Sequence, residues 1–168
     1  MSVEIRRETT ADISAIEAVT ASAFLNAPHT SHTEQFIVNA LRKTGKLTIS
    51  LVAVSEGTVV GHVAVSAVSI SDRTPDWFGL GPISVVPEHQ RHGVGSRLMR
   101  EALRILRENG AAGCVVLGEP EYYGRFGFRA DPTLILPDIP PEYFQAISFG
   151  PSQPHGIVSY AQAFSAQD

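Results

Sequence analysis

The segment Gln90-Arg91-His92-Gly93-Val94-Gly95-Ser96 lies between an apolar run, Leu80 to Val86, and the start of an amphipathic helical pattern, and this placement constrains the fold more than any other feature of the chain. Strand, glycine loop and helix in that order make a candidate anion cradle. Gly93 and Gly95 carry no Cβ, so the backbone can turn tightly and approach a ligand while the first amides of the helix still need partners. Those N–H groups and the positive end of the helix dipole suit a pyrophosphate. Two familiar phosphate loops do not fit. Counting from Gly93, the sixth position is Leu98 where a dinucleotide fingerprint needs glycine or alanine, and Gly95-Ser96-Arg97 lacks the lysine of a Walker loop.

Around this loop the pattern predicts one mixed α/β domain. Val3 to Arg7 reads as a strand. Thr10 or Asp12 caps a helix with Ile13, Ile16, Val19, Ala23 and Phe24 on one face, ending before Pro28. Ser31 to Glu34 has capping-box spacing ahead of a second helix with Phe36, Ile37, Ala40 and Leu41, stopped at Gly45. Leu47 to Ser55 and Thr58 to Ile70 form a hairpin through Glu56-Gly57. Trp77 to Val86 is a fourth strand, in which Gly79, Gly81 and Pro82 disfavour a regular ladder and predict a bulge or splay.

Leu98, Met99, Ala102, Leu103 and Leu106 mark a third helix ending at Asn109-Gly110, and Gly113 to Leu117 is a fifth, short buried strand. Pro120 opens a further helical turn. Six of the eleven prolines lie between Asp131 and Pro154, which predicts an irregular loop with short strand pieces before a last strand from His155 to Phe164. The order β-α-α-β-β-β-α-β-α-β-β predicts a mixed sheet flanked by helices.

Composition narrows the function classes. A chain of 168 residues, 43% hydrophobic and 18% charged, has the length and makeup of a single packed domain, taken as residues 1–168. A net charge of -4, with basic residues scattered from Arg91 to Arg107, argues against nucleic acid as the principal partner. No segment has membrane-spanning length and Met1 to Glu4 has no secretion-signal character, so a cytoplasmic location is expected. Cys114 is the only cysteine, in an apolar run where a thiol behaves as a small hydrophobe. Arg97, Arg100, Arg104 and Arg107 read as a solvated face, with Arg97 able to pair with Glu101.

Ile83 to Gln90, continued by Gly93-Val94-Gly95, resembles the Gln/Arg-x-x-Gly-x-Gly/Ala signature of the GNAT superfamily of acetyl-coenzyme A-dependent N-acetyltransferases. A second segment, Tyr122-Tyr123-Gly124-Arg125-Phe126-Gly127-Phe128, is similar to the family's later tyrosine-to-Gly-Phe segment, and the likeness extends from about Val3 to Phe164. The resemblance implies a central, mostly antiparallel mixed sheet splayed between the fourth and fifth strands. It also implies acetyl-CoA as cosubstrate, with no metal, and transfer of the acetyl group to a primary amine of a small molecule or peptide within a ternary complex. The pantetheine arm would pair with backbone at Ile83, Val85 and Val86, with a strand-four amide near Val85 polarising the thioester. Gln90, Arg91, His92, Gly93, Val94, Gly95 and Ser96 would hold the pyrophosphate.

Tyr123 occupies the family position that protonates the leaving thiolate, while Tyr122 is expected to pack. The general base is open among Glu34, Asp76, Glu119, Glu121, His29, His32 and His62, with Glu119 the first candidate for orienting the amine. His29 and His32 have metal-like spacing without a third ligand, and His62 reads as a packed histidine. The alternatives are a non-catalytic acyl-CoA-binding regulatory module of the same fold and an unrelated nucleotide-binding protein. A homodimer through the last strands is compatible with the pattern.

Overall fold

The first strand, Val3–Arg7 (β1), pairs antiparallel with Leu47–Ser55 (β2), and β2 turns through Glu56 and Gly57 into Thr58–Ala67 (β3). The computed structural model describes residues 2–25, 27 and 32–167. Between β1 and β2 the two predicted helices form, Ile13–Phe24 (α1) and Glu34–Lys43 (α2). The Ser31 cap, Pro28 and His29 lie outside the described residues. The hairpin ends sooner than its sequence suggests: Ser69–Ile70 (β4) leaves the main ladder, because buried Ile70 joins a separate apolar cluster with Trp77.

The strand that feeds the glycine loop, Trp77–Val85 (β5), pairs antiparallel with β3, and the register shifts where Gly81 and Pro82 sit. On its other side β5 pairs parallel with Gly113–Leu117 (β6) only through Trp77, Phe78 and Gly79. From Leu80 onward no strand among the described residues lies beside that edge, so the expected splay is present. The helix between them, Val94–Glu108 (α3), packs on β1, β2, β3 and β5. Leu98, Met99 and Ala102 are fully buried in it, over Leu51, Val63 and Val65. Burying a side chain of leucine or methionine size contributes about 1.5–3 kcal/mol, and this apolar stripe is what fixes the helix, and so its N-terminus, against the sheet. On its solvent side Arg104 pairs with Glu101 and Glu108. Arg97 instead donates to the Val3 carbonyl, so the expected Arg97 to Glu101 pair does not form.

After β6 come the short helix Pro120–Gly124 (α4), two-residue strands Arg129–Ala130 (β7) and Leu134–Ile135 (β8), then Phe144–Ser148 (β9) and Gly156–Ser159 (β10). The proline-rich stretch thus holds a full strand: β9 pairs antiparallel with all of β6. The main sheet runs β1-β2-β3-β5-β6-β9-β7, mostly antiparallel, and β4-β10-β8 form a second, three-stranded sheet. The last strand is shorter than expected. It stops at Ser159, after which Gln162–Ser165 forms a 3-10 turn packed on α2.

The face of the main sheet opposite α3 is covered by α1 and α2 and is more polar inside. Ile16, Val38, Val52 and Ala64 pack there, beside the buried Ser50, His62, Ser66 and Ser84. Arg42 forms an ion pair with Glu8 at 2.8 Å, the Ser50 hydroxyl donates to Glu8, and Ser50 lies 2.7 Å from His62 Nε2. Ser50 therefore accepts from an Nε2–H, and the Nδ1 of His62 carries the lone pair. Burial holds His62 down at about 4, against the attraction of Glu8, so this packed histidine is neutral near pH 7.

Candidate active site

The glycine loop opens into a cleft of about 340 Å³ lined by Val85, His89, Gln90, Arg91, Gly93, Gly95, Ser96, Tyr122 and Arg125. Gly93 is the N-cap of α3 and takes φ 82°, the left-handed region that a side chain disfavours. Its carbonyl accepts from the Arg97 N–H at 3.1 Å, so the helix begins at the loop. A Cβ on Gly95 would stand 2.9 Å from the Tyr122 hydroxyl and 3.8 Å from Val85 Cγ2, so any side chain there would enter the cleft. The first amides of a fifteen-residue helix therefore border an open, positively charged space.

The strand edge beside the cleft is equally specific. The Val86 N–H donates to the Val60 carbonyl at 2.9 Å and its carbonyl accepts from His89. Since N–H groups alternate along a strand, those of Ile83 and Val85 turn away from β3, toward the gap between β5 and β6. Of the three expected strand positions, Ile83 and Val85 have the required direction, and the backbone of Val86 is engaged within the protein. The Gln90 side-chain amide donates to the Val85 carbonyl at 2.9 Å, which ties the loop to the strand.

The other loop residues divide. Arg91 lines the cleft, whereas His92 is exposed outside it and the Val94 side chain is buried in the core beneath α3. Ser96 lines the cleft beside Tyr122. Three lining residues were missing from the sequence-derived set: His89, Tyr122 and Arg125. The Arg125 guanidinium lies 4.6 Å over the Tyr122 ring, and only the interruption of an aromatic segment by an arginine could have suggested that pairing. Burial raises the Tyr122 phenol, partly offset by Arg125, Ser96 and Arg100.

Tyr123 faces the other side of α4. Its ring is edge-on to Tyr122 and Phe128, with centroids 5.0 and 6.2 Å away, and lies against Gly118, where a Cβ would be 2.6 Å from its Cε2. Gly118 follows the last residue of β6, so the phenol stands at the open end of the splay. Burial, with Tyr122 adding to it, pushes the Tyr123 phenol up to about 12, which keeps it protonated at neutral pH. Glu119, at the N-terminus of α4, is exposed, makes no cap bond and is not among the cleft-lining residues. Cys114 is fully buried and its thiol is pushed up, so it offers no nucleophile. No cluster of three or more metal-ligating side chains occurs among the described residues, and no helix there is long and apolar enough to cross a membrane.

A mixed sheet opened at its middle, with a glycine-capped helix at the opening and a protonated tyrosine across from it, defines an acyl-coenzyme-binding type of transferase fold. The chain belongs to the GNAT acetyltransferase family, whose model, described as Acetyltransferase (GNAT) domain, matches residues 4–130. It is 38% identical over 115 residues to the uncharacterized N-acetyltransferase YhbS of Escherichia coli K12, covering 68% of this chain and 69% of the relative. A GNAT family acetyltransferase from Brucella melitensis, solved in complex with acetyl-CoA, is 44% identical and superposes with a TM-score of 0.87, over 97% of this chain and 98% of that one. The crystal structure of Escherichia coli YhbS in complex with CoA superposes with a TM-score of 0.88 at 32% identity, over 97% and 92% of the two chains.

Proposed function

We propose that this protein transfers the acetyl group of acetyl-CoA to a primary amine of a small molecule or peptide, directly, with both substrates bound together. The observation that carries the reading is the coincidence of the open β5 edge with the cleft that a Cβ on Gly95 would enter. In support, two similar proteins are solved with acetyl-CoA or CoA bound.

When bound, acetyl-CoA supplies an activated thioester. Arg91, the amides from Gly93 to Ser96 and the nearby Arg125 hold its pyrophosphate at the start of α3. The N–H of Val85, and that of Ile83 two residues before it, face the gap and align the pantetheine arm, with Val85 placed to polarise the carbonyl. As the nitrogen–carbon bond forms and the carbon–sulfur bond breaks, Tyr123 gives its proton to the departing sulfur, and the proton released by the amine restores the phenol through solvent. Buried Cys114 excludes itself as an acyl carrier. Glu119 stays a candidate only for orienting the amine from the rim.

The test is calorimetric titration of the wild type and of a Gly93→Val, Gly95→Val double variant with acetyl-CoA, CoA, ATP and NAD. Selective CoA binding, lost in the folded variant, is expected. A folded wild type that ignores CoA would defeat the transferase assignment. Tyr123→Phe should bind acetyl-CoA as wild type does and lose about 100-fold in kcat. Unchanged turnover by that variant would remove Tyr123 from the chemistry, and CoA binding without turnover on any amine would favour the regulatory module.

A further inference from the structure

Tyr160 follows the last strand, and its position is fixed by a glycine. A Cβ on Gly79 would lie 2.4 Å from Tyr160 Cε1 and 3.1 Å from Val68 Cγ1, so the phenol ring rests directly on the Gly79 backbone. Gly79 is the last residue of β5 paired with β6, opposite Val115, so this is the point from which the two strands diverge. Val115 and Tyr160 share the apolar cluster that includes Trp77, on the face of the sheet away from α3.

The two sides of the fork are therefore built alike. Tyr123 lies on Gly118 among the side chains of the α3 face, and Tyr160 lies on Gly79 on the opposite face. The coenzyme cleft opens on the first side. An amine in a ternary complex has to reach the acyl carbon from the other, because the coenzyme fills its own approach. From Tyr160 the chain crosses to α2 through Gln162–Ser165, with the Phe164 ring 4.9 Å from the Tyr160 ring. In register with Gly79 on β3 is Ser66, fully buried, whose hydroxyl has no hydrogen-bond partner among the described residues.

We propose that Tyr160 contacts the acceptor: its hydroxyl accepts a hydrogen bond from the incoming amine and aims the nitrogen lone pair through the fork. The ring and Phe164 wall the space occupied by the rest of that molecule. This inference rests on the transferase reading and adds the acceptor class. Val68, Trp77, Tyr160 and Phe164 make an aromatic and aliphatic wall, which suits a primary amine on an apolar body over a polycation. Burial raises the Tyr160 phenol, with Cys114 and Tyr123 adding to the effect, so the group stays neutral; no carboxylate is among the groups acting on it. A neutral phenol accepts from an uncharged amine, the form that attacks, without holding it as an ammonium.

The experiment compares wild type, Tyr160→Phe and Tyr160→Ala, each checked for its melting temperature, in three measurements. The first is calorimetry with acetyl-CoA, which tests the transferase reading alone; all three proteins should bind within about twofold. The second is thiol release with benzylamine or spermidine as acceptor. Benzylamine should be the better acceptor, Tyr160→Phe should lower its kcat with little change in KM, and Tyr160→Ala should raise KM at least tenfold. The third, which needs no turnover, is binding of a conjugate in which the CoA sulfur carries N-benzylacetamide. It should bind wild type more tightly than CoA does and lose that advantage in Tyr160→Ala. Acetyl-CoA binding with kcat and KM unchanged in both variants would overturn the proposal, as would a conjugate no tighter than CoA or equally tight in Tyr160→Ala. Preference for spermidine would overturn the acceptor class.

Discussion

The two faces of the central sheet bury side chains to the same depth and hold different chemistry. Beneath α3 the interior is continuous hydrocarbon, from Ile49, Leu51 and Val63 to Leu98 and Leu106. Beneath α1 and α2, Val52 and Ala64 share the space with His62, Ser66 and Ser84, each retaining a buried polar atom with no hydrogen-bond partner among the described residues. Such atoms are costly, about 1–3 kcal/mol each, and a sheet built only for stability would not keep them on one face. The difference separates two tasks. The α3 face holds a helix N-terminus fixed against the sheet, where under the proposed function its backbone groups bind the coenzyme. The other face keeps polar groups which, under the proposed function, lie on the side from which the acceptor arrives.

Truncation should act most strongly on the hydrocarbon side. Leu98→Ala should lower unfolding free energy by about 2–5 kcal/mol in urea denaturation. A loss below 1 kcal/mol would mean that α3 is held by its ends. The next effect is on the polar face and depends on pH. His62 binds its proton at about 4 in the folded chain and near 6.5 when unfolded, so the unfolded state takes up the proton first. Stability from this group is complete above pH 6.5 and is lost as pH falls toward 4, by up to about 3 kcal/mol. His62→Gln should show a flatter acid limb over that window, and parallel curves would exclude His62 as its source. The smallest effect is at the cleft. Arg125→Ala should weaken CoA binding by about 1 kcal/mol, roughly fivefold, with the loss shrinking at high salt. A loss independent of salt would assign Arg125 a packing role through Tyr122.

What the sequence disclosed follows the range of the interactions. The glycine loop, α3 and the β2-β3 turn are set by neighbours in the chain, and the expected boundaries match the structure closely. The sequence predicts only short strand pieces where β9 forms, because Pro137, Pro140, Pro141 and Pro151 surround Phe144–Ser148, while the partner that makes it a full strand, β6, is 27 residues earlier at the Leu117 and Phe144 pair. The site divides the same way. Gly93, Gly95 and Tyr123 lie in local motifs, whereas the contacts of Tyr160, and those of the packed His62 outside the cleft, arise from pairings of distant strands. Tyr160 lies against Gly79 where β10 pairs with β4, and His62 is linked to Glu8 through Ser50 on β2.

The half-paired strand β5 carries a further cost. From Leu80 to Val85 it is an edge strand inside a sheet, with backbone groups that any extended segment could engage, including the same region of another molecule. Under the proposed function the coenzyme covers this edge, and ligand at a hundredfold excess over Kd adds about 2.7 kcal/mol to folding. On that reading the folded protein without coenzyme is the form that presents the open edge, so its tendency to self-associate should fall as acetyl-CoA is added.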